Sequence, residues 1–447
     1  MTIDRNIFRA RSAGMAVAAA FALFVSSVAP AQAGPKVERV VSPQGIEAWL
    51  IEDHANPIIS VSFAFRGGAS FDPKGKEGLA RMVSALLDEG AGDLDSQAFQ
   101  RQLEDFAVRL SFGARRDTFT GRLQTLTKNR DAAFDLLRLA VTSPRFDAEP
   151  VERIRNQLIA SLKQDLDDPG RIASLALIGK LFPGHPYGRP TRGTMESVGK
   201  IAVADLRAFV KERLTHANLV IGVVGDIRPG ELGALMDKTF AGLPKTGTGG
   251  VIADVMPQSD GKTTLVRKPI PQSAIVFAQR GLKRGDPDYY TGIVLNHILG
   301  GGGFTSRLYS EVREKRGLAY SVGTGLVPME NAALLWGTAG TANARAGETL
   351  KLIRAEWQRM AREGVKADEL NDAKTYLTGS FPLRFTSSGR IAGMLVSMQL
   401  YGRGIDYFEK RNELIEAVTL EKINKLAKRL LTPEKLSIVV VGDPEKI

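Results

Sequence analysis

Between His297 and Val322 the chain sets four consecutive glycines, Gly300, Gly301, Gly302 and Gly303, ahead of Arg313 and Tyr320, which lie seven residues apart. A guanidinium is a planar fork of N–H donors and a phenol adds one O–H donor. Such a pair can hold a peptide carbonyl and steady the oxyanion of a tetrahedral intermediate. Spacing alone favours a plainer reading, a surface salt bridge or the edge of a core. The glycines leave a backbone with little bulk and free access to positive φ. Such a run admits a close peptide, offers N–H groups to an anion, or simply joins two helices. It is not a phosphate loop, because no Gly-Lys-Ser/Thr follows. Thr305 or Ser306 is placed to cap the next helix and Gly317 to end it, and Leu318–Val322 alternates as a strand.

Other chemistry is scarce. Cysteine is absent, which excludes a disulfide framework, thiol catalysis, Fe–S clusters and Cys-type zinc sites. The four histidines, His54, His185, His216 and His297, stand at least 31 residues apart, so no local His–His metal motif exists. His185, beside Pro186, is expected to order a loop.

The elements that would position these groups occur twice. Leu219–Asp226 matches Leu436–Asp443 at an offset of 217 residues, each after an amphipathic helical stretch. Pro57–Arg66 matches Pro271–Arg280 at an offset of 214. Two matches in one order imply a duplicated domain, not a short-period solenoid. Residues 243–262, rich in glycine and proline, read as the linker between domains at 36–242 and 263–447. Within the first half, Ile58–Phe65 and Thr118–Thr127 read as strands, and Asp131–Val141 and Pro150–Leu166 as helices. In Lys76–Glu89 the spacing of Leu79, Met82, Val83, Leu86 and Leu87 predicts a helix with one buried stripe. The expected fold class is α+β: two homologous two-layer α/β sandwich domains.

The start of the chain carries Arg5, Arg9 and Arg11, then an uncharged run from Ala13 to Ala29 and an Ala31-Gln32-Ala33 site. This predicts a secretory signal peptide over residues 1–33, hence an exported protein, periplasmic in a Gram-negative source. No later stretch is long and apolar enough to span a bilayer. An apolar share of 43% and a charged share of 24% exclude disorder, collagen and a polytopic membrane protein. The net charge of +11 is spread along the chain without aromatic interleaving, which argues against a nucleic-acid partner.

The string Ser306-Arg-Leu-Tyr-Ser-Glu-Val-Arg313-Glu-Lys-Arg-Gly-Leu-Ala-Tyr320-Ser-Val resembles the C-terminal-half signature of the pitrilysin or insulinase-like metallopeptidases, which include mitochondrial processing peptidase. The resemblance extends over the duplication, His185–Gly188 and both Val-Val-Gly-Asp ends. It implies that Arg313 and Tyr320 assist peptide binding and transition-state stabilisation. It also implies a His-x-x-Glu-His zinc motif just after Gly78-Leu79-Ala80, two imidazoles four residues apart sharing one helix face. Here Arg81, Ser84 and Ala85 stand at the ligand, base and ligand positions, and the third ligand falls near Ala160-Ser161. His54, Glu77, Asp88 and Glu89 are the nearby groups in sequence, and Arg81 sets a cation against any rebuilt site.

The resemblance therefore implies a non-catalytic subunit of an exported heterodimer, with no metal in this chain. Zinc is expected in a homologous partner that carries the intact motif. Arg313 and Tyr320 would act in trans on an unfolded peptide, with Gly300–Gly303 bordering its path. The alternative is a structural or binding subunit with no role in catalysis.

Overall fold

The computed structural model describes residues 35–247, 250–445 and 447; the expected signal peptide, 1–33, lies outside them. The first half forms strands β1 (Glu38–Val41), β2 (Glu47–Glu52), β3 (Ile58–Arg66), β4 (Arg109–Ala114), β5 (Thr118–Leu126) and β6 (Leu219–Gly225). They lie in one sheet in the order β1-β2-β6-β3-β5-β4. The second half forms β7 (Thr263–Arg267), β8 (Gln272–Arg280), β9 (Ala319–Pro328), β10 (Ala333–Ala342) and β11 (Ser437–Gly442), in the order β7-β11-β8-β10-β9. With β1 set aside the two orders coincide, including one parallel pair each, β2 with β6 and β7 with β11.

The duplication reaches individual side chains. Phe63 on β3 lies opposite Gly121 on β5, and Phe277 on β8 lies opposite Gly337 on β10. In each pair the ring fills the space that a Cβ on the glycine would occupy. The glycine is required by the close approach of that ring.

The helices used below are α1 (Leu79–Ser84), α2 (Arg130–Thr142), α3 (Ala148–Asp165), α4 (Pro169–Leu181) and α5 (Val203–Arg213) in the first half. The second half contributes α6 (Tyr289–Asn296), α7 (Ala346–Glu363), α8 (Ala367–Gly379), α9 (Ser388–Leu400) and α10 (Leu420–Leu430). Each sheet packs one face on helices of its own half. Phe63, Leu123 and Ile221 meet Phe134 and Leu137 of α2; Phe277, Leu335 and Ile438 meet Ile353 and Trp357 of α7. Each half is thus an α/β sandwich, and the fold is the expected α+β pair.

The opposite faces are covered by exchange. α4 lays Ala173, Leu177 and Leu181 on Val276, Ala278, Val439 and Val441 of the second sheet. α9 lays Ala392, Leu395 and Met398 on Trp49, Ile51 and Val224 of the first. Strands buried on both faces read as unbroken apolar runs, as in Val-Ile-Gly-Val-Val of β6. At Gly222 of β6 a Cβ would fall 2.7 Å from Leu395 Cβ, so only glycine lets α9 sit this close. Among the described residues no helix is long and apolar enough to cross a membrane.

One element differs from expectation. The helix predicted over Lys76–Glu89 is α-helical only through α1. Its apolar residues are buried as predicted, but beyond Ser84 the backbone tightens: Ala85 N–H donates to Met82 O at 3.1 Å and Leu86 N–H to Val83 O at 3.0 Å. Ser84 Oγ donates to Arg81 O at 2.8 Å, a local bond that competes with the helical ladder where it ends.

Candidate functional site

The degenerate metal positions lie on and just after α1. Gly78, at φ +96°, precedes the helix, and buried Asp72 accepts from Gly78 N–H at 2.9 Å and Ala80 N–H at 3.0 Å. Burial pushes the Asp72 carboxyl up to about 7 against the pull of those donors and of Arg189. Arg189 fastens the same corner, donating to Asp72 O at 2.8 Å and Ser70 O at 2.9 Å. Arg81 Nη1 reaches Ser84 Oγ at 3.3 Å, Ser84 is buried, and Ala85 sits past the helix end.

The third-ligand position is also occupied by polar chemistry of the wrong sign. Ser161, on α3, accepts from Arg192 Nη2, while Arg192 Nη1 lies 2.7 Å from Asp165. Nearby acids are engaged. Glu89 pairs with Arg153 at 2.6 Å and accepts from Ser96 at 2.5 Å; burial raises Asp88 to about 6; Glu77 faces Arg189 at 3.8 Å. His54 lies at the end of β2, bonded to Asp226 at 2.7 Å and so shifted up. Two guanidinium groups and two hydroxyls do not fit zinc, which takes thiolate, imidazole or carboxylate. Among the described residues no three His, Asp or Glu side chains gather as a metal site.

The second cluster is built on the second sheet. α6 runs into a π-helical turn, His297–Gly301, and a 3₁₀ turn, Gly303–Thr305; a second π-helical turn, Tyr309–Glu314, leads to β9. Two π turns in one connection are unusual, and such turns often occur at functional sites. The glycines divide by role. Gly300 is buried, and a Cβ there would fall 2.6 Å from Thr324 Oγ1 of β9, so it serves helix–strand packing; Gly301 and Gly303 are exposed. Neither expected cap accepts a backbone N–H: Thr305 Oγ1 donates to Gly302 O at 3.1 Å and Ser306 Oγ to Gly303 O at 2.8 Å. The hydroxyls close the preceding turn instead of opening the next one.

Arg313 and Tyr320 are joined through the start of β9. Gly317, at φ +59°, donates to Arg313 O at 2.9 Å, and Leu318 N–H to Val312 O at 2.9 Å. The Arg313 guanidinium lies 4.8 Å from the Tyr309 ring centre and bonds to its hydroxyl. Glu311 is held by Lys315 at 2.7 Å and Arg316 at 2.6 Å, which drive its carboxyl down to about 2. Among the described residues no carboxylate pairs with Arg313. Tyr320 is the extra residue of a β-bulge on the edge strand: Gly340 pairs with Ser321 and Thr341 with Ala319. A bulge re-aims a side chain, and Tyr320 is 62% exposed.

Residues outside the sequence reading complete this surface. Phe304 is 75% exposed with its ring edge-on to Tyr309 at 4.8 Å, and Tyr376 of α8 stacks on His297 at 5.0 Å. Burial lowers the His297 pKa. The aromatic spacing Phe304–Tyr309–Tyr320 was a usable signal; Tyr376 carried none. His185 does order its loop: Nδ1 accepts from Tyr187 N–H at 3.1 Å and Nε2 lies 3.1 Å from Ala253 O.

Residues 200–377 match the family model described as Peptidase M16 inactive domain. A crystal structure of a peptidase M16 inactive domain from Pseudomonas fluorescens superposes with a TM-score of 0.86 at 31% identity, covering 92% of this chain and 98% of that one. A Mycobacterium bovis protein named uncharacterized zinc protease is 30% identical over 312 residues, 67% of this chain and 69% of its own. A Helicobacter pylori protein named non-peptidase homolog YmxG is 27% identical over 418 residues, 93% of this chain and 96% of its own.

Proposed function

The chain belongs to the peptidase M16 family without carrying zinc ligands where that family's motif falls, and from this premise we propose that it is the metal-free subunit of an exported heterodimeric peptidase. A homologous partner with an intact His-x-x-Glu-His would bring the zinc. This chain contributes two donors. The Arg313 fork binds a carbonyl of an extended, unfolded peptide, and the Tyr320 hydroxyl donates to the oxygen that gathers charge during attack. Gly303, where a Cβ would meet nothing within 4 Å, leaves room beside the peptide backbone. The residue 1–33 leader is the basis for export, and for the periplasm in a Gram-negative source.

One observation carries this reading. Arg313 and Tyr320 lie at the surface on one connected turn and edge strand; Glu311, one helical step away, is already taken by Lys315 and Arg316, and among the described residues neither it nor the adjacent Glu314 pairs with Arg313. A second reading, a binding or structural subunit without a catalytic role, is favoured by the contact of Arg313 with Tyr309, which already gives the guanidinium a ring face and a hydroxyl.

The test is reconstitution with the partner and a quenched peptide. Arg313→Ala or Tyr320→Phe should each lower turnover by about 100-fold, the scale for losing one oxyanion donor. A partner that is fully active alone, or unchanged turnover in both variants, would establish the second reading.

A further inference from the structure

A cavity of about 620 Å³ opens where the two halves meet, far from the surface that carries Arg313 and Tyr320. Met329, just past the end of β9, lines it, while Tyr320 stands at the start of that strand. Nine residues of strand put roughly 30 Å between the two.

The duplication converges on this cavity. Arg66 ends β3 and Arg280 ends β8, at matching positions of the two repeats, and both line it. A second repeated element borders the junction: Tyr187-Gly-Arg189 follows α4, and Tyr401-Gly-Arg403 follows α9, again 214 residues apart. Arg189 donates to Ser70 O at 2.9 Å and Arg403 to Arg284 O at 3.0 Å, the same bond in each repeat. At Arg284 the duplicates part company: where the first repeat has Ser70, the second adds a guanidinium to the cavity wall.

The donors and acceptors of the wall set the sign of the ligand. The carboxylates of the wall are engaged. Asp117 accepts from Tyr187 OH at 2.6 Å and Glu330 N–H at 3.1 Å, Asp254 from Lys283 at 2.7 Å, and Asp286 from Asp288 N–H at 2.9 Å; Glu330 faces Arg66 at 3.9 Å. The unmatched groups are donors. Among the described residues the Arg280 side chain has no hydrogen-bond or ion-pair partner. Arg284 stacks on Tyr401 at 3.9 Å and touches Tyr289 OH at 3.2 Å, but its Nε is buried without an acceptor. Among the described residues no carboxylate pairs with Arg284 either, so the charge of both guanidinium groups is open to a bound acceptor.

We infer that this junction cavity binds a carboxylate ligand, held by Arg280 and Arg284 of the second repeat where it meets the first. Arginine forks match the planar geometry of a carboxylate. The volume suits a small molecule or a few residues of peptide, and domain junctions are common places for such sites. The carboxylate belongs either to a small organic acid or to the C-terminus of a peptide. The inference does not rest on the proposed peptidase role and is testable on the chain alone.

Calorimetric titration of the purified chain decides it, with citrate, inorganic phosphate, and one acetylated hexapeptide as free acid and as C-terminal amide. Citrate binding assigns a small acid; binding of the peptide acid but not its amide assigns a peptide terminus. In either case Arg280→Gln should weaken binding by about 10-fold or more, the scale of one charge-assisted bond, and Arg280→Lys by less. Arg280 is exposed, so both variants should keep the wild-type melting midpoint and circular dichroism. The inference fails if neither carboxylate probe binds up to about 10 mM. It fails equally if phosphate binds in preference to both, or if Arg280→Gln binds as the wild type does.

Discussion

Rebuilding the zinc ligands tests how far this chain has moved from metal chemistry. The variant Arg81→His, Ser84→Glu, Ala85→His, Ser161→Glu restores the side chains that the resemblance assigns to those positions. The structure predicts that they do not suffice, because Arg192 holds the third position, bonded to Ser161 and 2.7 Å from Asp165. A zinc ion bound to a carboxylate at 161 would lie roughly 5 Å from that guanidinium, adding a metal–oxygen distance of about 2 Å to a hydrogen bond of about 3 Å. Two charges against one at that range cost about 6–7 kcal/mol at an effective dielectric constant of about 20. Asp165 offsets roughly half, which leaves about 3 kcal/mol, or about 100-fold in affinity. Competition against a chromophoric zinc chelator at fixed pH measures it. Adding Arg192→Gln to the four changes removes that repulsion and leaves Asp165 in place, so it should tighten zinc binding by at least about 100-fold. Equal affinity of the four- and five-residue variants would refute the claim that Arg192 excludes a cation here.

Further predictions concern stability. Gly121→Ala and Gly337→Ala each press a methyl into the facing ring of Phe63 or Phe277, and should cost about 1–3 kcal/mol, read as a lower denaturant midpoint. Wild-type stability at either site would mean that the rings move freely. Asp72 is held near 7 in the folded chain against 3.8 ordinarily. Its contribution is therefore fully present below about pH 4 and is lost as pH rises through about 7, by at most about 4 kcal/mol. The stability difference between wild type and Asp72→Asn should change by that order between pH 4 and 8; a pH-independent difference would show that Asp72 titrates normally.

Much of this was legible in residue types. Phe-Ala-Phe-Arg66 and Phe-Ala-Gln-Arg280 announce a repeated strand, and the two sheet orders follow it. The Arg313–Tyr320 interval, ended by Gly317, leads to the observed turn and strand because glycine at positive φ is a strong local signal. What escaped depends on contacts distant in sequence. The near-continuous apolar runs of β2 and β8 say that both faces are covered, yet not that α9 and α4 cross over to cover them. Arg192 reaching Ser161 spans 31 residues of chain and carries no local pattern. Asp72 ahead of Gly78-Leu79-Ala80 was a readable cap, but its burial is set by Arg189 and the fold around it. The shortening of α1 turns on one hydroxyl, Ser84, bonding backward.

The crossing of α4 and α9 makes the two repeats mutually dependent. Cutting the chain in the 243–262 segment would leave each fragment with an apolar sheet face stripped of its cover and one orphaned greasy helix. Neither fragment should persist as a free-standing monomer, whereas the two together should reassociate into a nicked but complete molecule. A single repeat on its own would meet the same difficulty, and two copies trading these helices would be its simplest remedy, so the polypeptide has the form of a symmetric dimer of repeats held in one chain.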